Sequence, residues 1–342
     1  MDTPRPIDLS VPSAGAIQDH RWVRFGSFEL HWIETGDLWL DGGAMFGVVP
    51  KALWSRQLPP DDQNRIPMTM RCLLIRSLNT GRLYLVDNGA GNKFSDKMST
   101  IYGLDYGSQG EKRLEASLSR AGVPPSEITD LIFTHLHFDH CGGTTDYVDG
   151  VLSHVFPNAR YHVHRDHFRT ATKPTPREQA SFLPDNISPI AATSERLSLV
   201  HLHRFHETED DSIQVDMDGL KNLNSKQPNS NMPVYEPGLD ALVMNGHTLG
   251  QQLPKITSGD QHLVFVADLL PTAQHLPLVW VMGYDMFPTQ TLKEKQEFLE
   301  QAAAEQWWLL MEHDRFHECI QVGNIDGRWK VVATSILNDL AQ

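Results

Sequence analysis

Short apolar runs punctuate this chain, and several stop abruptly at a histidine or a carboxylate. Ser27–Glu34 alternates apolar and polar positions, the period of a half-buried strand. Met68–Arg76 and Leu83–Asp87 read as strands joined through Asn79-Thr80-Gly81, a hairpin signal. Leu131-Ile132-Phe133 is too short for a helix and reads as a buried strand. Leu239–Asn245, Gln261–Asp268 and Trp307–His313 repeat the design. Leu114, Leu118 and Ala121 form one helical stripe, closed by Gly122-Val123-Pro124-Pro125. Thr291-Leu292-Lys293-Glu294 has the form of a capping box, which predicts a helix through about Gln306 with Phe298, Leu299 and Ala302 inward.

Other stretches carry weaker patterns. Residues 1–24 read as an irregular lead-in, and 25–342 as one domain. Gly42–Pro50 is apolar and glycine-rich, so an irregular loop is expected, either core filler or a pocket wall. Roughly 170–235 is polar with weak periodicity and reads as a long insertion, with Lys221–Asn231 a loop or disordered tip.

The chemistry concentrates after the Leu131–Phe133 strand, in Thr134-His135-Leu136-His137-Phe138-Asp139-His140. Side chains alternate in extended backbone, so His135 and His137 point one way, while Asp139 and His140 follow a turn and aim elsewhere. Two ligand pairs on one loop suit two neighbouring metal ions. Imidazole with carboxylate suits zinc, or manganese, iron or cobalt. Gly142-Gly143 then allow a sharp turn or a close backbone approach.

His162-Val163-His164-Arg165-Asp166-His167 satisfies the same pattern, and with 17 histidines in the chain such copies arise by chance. It follows a turn and an alternating strand, and no glycine comes after it. It is expected to be an exposed edge strand running into a helix near Phe168. His201-Leu202-His203 has no Asp-His pair behind it and reads as a surface strand. His247, Asp268 and His313 each close an apolar strand. The expected centre therefore has one ion on His135, His137 and His247, another on Asp139, His140 and His313, and Asp268 bridging them. Asp87, also at a strand tip, either orients a histidine or caps its loop. Tyr284 and His275 are candidates for orienting substrate.

Charge narrows the partners. With 29 basic against 43 acidic residues, the net charge of −14 argues against nucleic acid and anionic membranes. Cys72, Cys141 and Cys319 form no spaced pairs. There is no apolar signal core and no membrane-length apolar stretch, so a cytoplasmic protein is the default. The expected partner is a small-molecule substrate, and a homodimer stays open.

The Thr134–His140 loop resembles the signature of the metallo-β-lactamase superfamily, and His247, Asp268 and His313 follow in that family's order. His247 and Asp268 lie 21 positions apart and Asp268 and His313 lie 45 apart, similar to the lactonase branch. Asp87-Asn88-Gly89 stands where the family usually has Asp-Thr-Gly. Ala267–Thr272, Trp280–Asp285 and Glu312–Asp314 also resemble the quorum-quenching N-acyl homoserine lactonase-like hydrolases. The resemblance covers roughly residues 25–325. It implies an α/β fold, the αββα sandwich, with two divalent ions at one sheet edge, zinc first among them.

Such a pair lowers the pKa of a water from 15.7 to about 7, and the hydroxide attacks a polarised carbonyl or phosphoryl group. Asp139 or Asp268 would shuttle the proton. Three departures stand out: Gln251 where a second histidine is usual, Pro271 where the best-known lactonases have tyrosine, and 112 positions between His135 and His247. The expected activity is opening of a lactone, an acyl homoserine lactone among the candidates, or cleavage of a carboxylic ester. The alternatives are a phosphotriester or thioester hydrolase on the same ions, and a non-catalytic metal-binding module.

Overall fold

The computed structural model describes residues 20–200 and 235–340. The N-terminal half supplies β1 (Val23–Phe25), β2 (Phe28–Asp41), β3 (Arg65–Ser77), β4 (Leu83–Val86), β5 (Asp130–Ile132), the β6–β7 hairpin (Thr145–Val148, Val151–His154), β8 (Arg160–His164) and β9 (Leu197–Val200). The C-terminal half supplies β10 (Leu239–Met244), β11 (Gln251–Ser258), β12 (Gln261–Phe265), β13 (Trp308–Leu310), β14 (Cys319–Ile325) and β15 (Arg328–Ser335). One sheet runs β1-β2-β3-β4-β5-β8-β9 and the other runs β10 to β15 in chain order.

The core follows from strand alternation. On β3, Leu73 and Ile75 join Phe265 and Leu310 of the facing sheet, whereas Cys72 and Leu74 join Leu114 and Leu118 of the helix Leu114–Arg120. Both faces of β3 are therefore covered, which is why Cys72-Leu73-Leu74-Ile75 is a continuous apolar run. Helix Pro288–Ala304 adds Phe298, Leu299 and Ala302 to the cluster holding the second sheet. The layers are helix, sheet, sheet, helix, the expected αββα sandwich.

Strand direction gathers the tips. β4, β5 and β8 are parallel to one another. β10 is antiparallel to β11, β11 to β12, and β12 is parallel to β13, so β10, β12 and β13 point one way. Their ends open onto the loops carrying His247, Asp268 and His313. Near these tips the sheets are laced together. Gln252 N donates to Thr134 O at 2.8 Å, Thr69 N to His313 O at 3.2 Å and Arg71 N to Glu312 O at 3.2 Å.

Several expectations change. Gly42–Phe46 is a short helix, its first turn capped by Asp41, whose carboxylate accepts the Ala44 amide at 2.8 Å. Ordered structure continues past residue 170, with a helix over Pro184–Ala192 and then β9. His201-Leu202-His203 and Lys221–Asn231 lie outside the described residues. The second histidine copy is no exposed edge. β8 sits between β5 and β9, and His162, His164 and His167 are all buried. His162 Nε2 bonds Asp130 Oδ1 at 2.7 Å, and Arg82 Nε donates to the same carboxylate at 2.9 Å.

The capping box is not used either. The helix starts at Pro288, which suits a first-turn position because proline lacks the N–H that a helix start leaves unpaired. Glu294 instead turns to the loop before His247, accepting the amides of Asn245 at 2.8 Å and Gly246 at 2.9 Å. Glu294→Ala leaves two buried donors without their carboxylate. The expected cost is about 2–3 kcal/mol, read as a lower urea midpoint with an unchanged m value. An unmoved midpoint would show that the loop holds its shape without Glu294.

Candidate metal centre

The short strand β5 ends at Ile132, and the chain then crosses the sheet edge as a tight loop into a single helical turn, Phe138–Cys141. Four inward atoms meet there. His137 Nδ1 lies 3.0 Å from His135 Nε2 and 3.2 Å from His247 Nε2. Asp268 Oδ2 lies 3.1 Å from His247 Nε2 and 3.7 Å from His135 Nε2. A tetrahedral ion with bonds of about 2.0–2.1 Å needs neighbouring donors about 3.3–3.4 Å apart. The observed separations bracket that edge.

A second group adjoins the first. His313 Nε2 is 3.3 Å from His140 Nε2, Asp139 Oδ1 is 3.8 Å from His140 Nε2, and Asp268 Oδ1 is 3.0 Å from His313 Nε2. Asp268 thus turns one oxygen to each group. His135, His137, His247 and Asp268 could hold one ion, and Asp139, His140 and His313 another. The seven residues singled out as ligands in the sequence come together here, with Asp268 grouped with the first three.

The outward ring nitrogens have their own acceptors, which fixes the tautomers. His247 Nδ1 donates to Asp285 Oδ1 at 3.0 Å and His313 Nδ1 to Thr69 O at 2.8 Å. His135 Nδ1 faces the Thr134 hydroxyl at 3.1 Å, and His137 Nε2 faces Glu178 Oε1 at 3.2 Å. His140 Nδ1 donates to Asp87 Oδ2 at 3.0 Å. Asp87 also accepts the Thr134 amide and hydroxyl at 2.8 and 2.6 Å, so it both orients a histidine and caps the loop. Gly142 settles the other open question. A Cβ there would meet Ala90 O at 2.1 Å, while its φ of −62° is ordinary, so close approach rather than a turn requires glycine.

Electrostatics ask for positive charge at this point. Burial and the imidazoles of His140 and His137 hold His135 well below the ordinary histidine range. Burial opposes charge on His247 too, but Asp268 and Asp285 outweigh it and raise it to about 10. Burial likewise opposes charge on His313, which Glu312 and Asp268 raise to about 9. Divalent ions meet the same demand while leaving the imidazoles neutral, which is the form that ligates.

The centre floors a cavity of about 130 Å³ walled by Leu40, Met45, Met68, Tyr102, Phe138 and Met282, among others. Tyr284 also lines it and is 40% exposed. Burial, with the nearby Asp139, pushes its phenol up to about 12. His275 does not serve as an orienting group. It is buried, its Nδ1 is 2.8 Å from the Thr272 hydroxyl, and its Nε2 is 2.9 Å from Met45 O. Gln251, the departure after His247, supports the centre from behind. With its side-chain oxygen turned toward them, it can accept the amides of Asp268 and Leu269 at 2.9 and 3.1 Å.

Of the second histidine copy, only His167 reaches the loop: its Nε2 accepts the Leu136 amide at 2.7 Å. Burial holds it down to about 3, so it stays neutral. Glu178, Asp285, Tyr102 and His167 were not read as site residues from the sequence. Asp285 and His167 lay in stretches singled out there, His167 as the end of the second histidine copy.

Over residues 71–313, more than half of its length, the sequence matches the metallo-beta-lactamase superfamily. The chain belongs to the metallo-beta-lactamase superfamily. A probable metal-dependent hydrolase from Staphylococcus aureus is 27% identical, with a TM-score of 0.73 over 92% of this chain and 98% of that one. AidC, a dizinc quorum-quenching lactonase, is 18% identical, with a TM-score of 0.70 over 93% of this chain and 98% of that one. An N-acyl homoserine lactone hydrolase with its product bound is 19% identical, with a TM-score of 0.55 over 85% and 94%. Comparison with curated protein sequences gives no match. The chain is a metallo-beta-lactamase superfamily hydrolase with His and Asp groups placed to bind metal.

Two outcomes test the centre. His137→Ala is expected to lose metal and activity while His164→Ala, in the second copy, keeps both; equal losses in elemental analysis would reject the choice between the copies. Asp268→Asn is expected to lower metal stoichiometry together with rate, since Asp268 faces both groups. Two retained ions with full turnover would reduce Asp268 to a strand-end residue.

Proposed function

We propose that this superfamily hydrolase opens a lactone ring, that of an acyl homoserine lactone first, or cleaves a carboxylic ester. What carries the reading is the apolar cavity seated on the paired His/Asp groups. Lactonases stand among the structural neighbours that share this fold. When bound, two divalent ions supply Lewis acidity and a water that ionises near neutral pH.

The chain's own residues do the rest. Asp268 and Asp139 lie at the cavity floor and are placed to take up a proton there. Tyr284 keeps its phenol proton at neutral pH and can donate it in a hydrogen bond to a carbonyl oxygen, the task left vacant by Pro271. Met45, Met68 and Met282 give an adaptable apolar wall for an acyl chain. Zinc as the ion, a small-molecule substrate and a cytoplasmic setting belong to the same proposal; among the described residues no helix is long and apolar enough to cross a membrane.

Comparing kcat/KM for long- and short-chain acyl homoserine lactones, an aryl ester, a thioester and a phosphotriester tests the substrate class. Lactones are expected to lead, with the longer chain favoured. Preference for the phosphotriester, or no lactone turnover by protein carrying two ions, would reject the lactonase reading and leave the hydrolase centre standing.

A further inference from the structure

Between the helices Arg165–Thr172 and Pro184–Ala192 the chain crosses the cavity, and Ala180 and Ser181 become part of its wall. Inside this crossing Glu178 is almost fully buried, at 4% exposure. Its Oε1 faces His137 Nε2 at 3.2 Å and also accepts the hydroxyl of Thr248, the residue after His247. One carboxylate oxygen therefore joins the two loops that present His137 and His247.

The bond decides which way His137 is used. A neutral imidazole has one N–H, and an ionised carboxylate only accepts. Glu178 thus draws the proton to Nε2 and leaves the Nδ1 lone pair facing His135 and His247. Arg177, one residue earlier, anchors the crossing to the far rim through Gly283 O at 2.6 Å and Asp285 O at 3.3 Å. His140 and His313 take their outward acceptors elsewhere, from Asp87 and Thr69.

We propose that Glu178 is a positioning residue for the ion held by His135, His137 and His247, and that the neighbouring ion does not depend on it. The proposal rests on the two-ion reading above. Zinc-loaded full-length protein is dialysed against graded chelator, and the retained metal is counted by elemental analysis. Glu178→Ala is expected to release one ion about 10–100-fold more readily and keep the other. Its cobalt-substituted visible spectrum, taken after that ion has left, should keep only the bands of the ion that remains. Glu178→Gln, whose amide oxygen can still accept the Nε2 proton, should recover most of the affinity.

Glu178→Ala that holds both ions like the unmodified protein, or sheds both together, would overturn the proposal. So would Glu178→Gln that binds no better than Glu178→Ala. Histidine 15N NMR of the unmodified zinc protein gives an answer that needs no variant to fold: protonation of His137 at Nε2 is expected, and protonation at Nδ1 overturns the proposal. Unmodified protein that takes up no metal would remove the two-ion reading, and this proposal with it.

Discussion

Every imidazole at this centre turns one nitrogen inward because an oxygen takes up the other. A buried polar group left unpaired costs about 1–3 kcal/mol, so the outward bonds hold the rings before anything binds between them. Asp87 has the largest share. It grips the start of the loop through Thr134 and the end through His140, and it does so from the left-handed region at φ 56°. That backbone state costs a non-glycine residue about 1–3 kcal/mol and persists where surrounding bonds over-determine it. Glu312 adds pressure from the same side. Its Oε1 lies 3.2 Å from His140 Nδ1, and burial, with Asp87 beside it, pushes its carboxyl up to about 7 against the pull of His140.

The centre is assembled from two sheets whose relative placement is fixed within a few ångströms of it. Arg71 reaches across from β3 with its Nη1 on Met311 O at 3.1 Å and Asp314 O at 2.5 Å, beside the backbone bonds to Glu312 and His313. A slip of one sheet against the other would break these bonds and the ligand geometry together. The rigidity that the chemistry needs is thus a property of the sandwich, not of any one loop.

What was legible in the sequence depends on strand tips and on the one loop after Leu131–Phe133. A short apolar run ending in His or Asp says both that a strand stops and that a ligand type stands at its end, as at His247, Asp268 and His313. Tertiary recruitment was not legible. Thr291 and Glu294 have the spacing of a cap, but Glu294 was claimed by the amides of Asn245 and Gly246, a bond no local pattern encodes. The alternation Arg160–His164 suggested exposure, since histidine counts as polar. Asp130 and the neighbouring strands bury it instead. Glu178 stands 41 positions from His137 in a stretch with no periodicity, and only the folded chain brings them together.

The wall of the cavity and the support of the centre share a segment, and that has a consequence for how such a protein diversifies. The apolar part of the wall, Leu40, Met45, Met68 and Met282, provides no contact among the inward ring nitrogens, so substitutions there can retune selectivity. The crossing at Thr175–Ser181 has no such freedom. A loop grafted in its place to admit a different substrate must also bring an acceptor to within reach of His137. Chimeras and natural variants that exchange this loop are therefore constrained at one position and permissive around it.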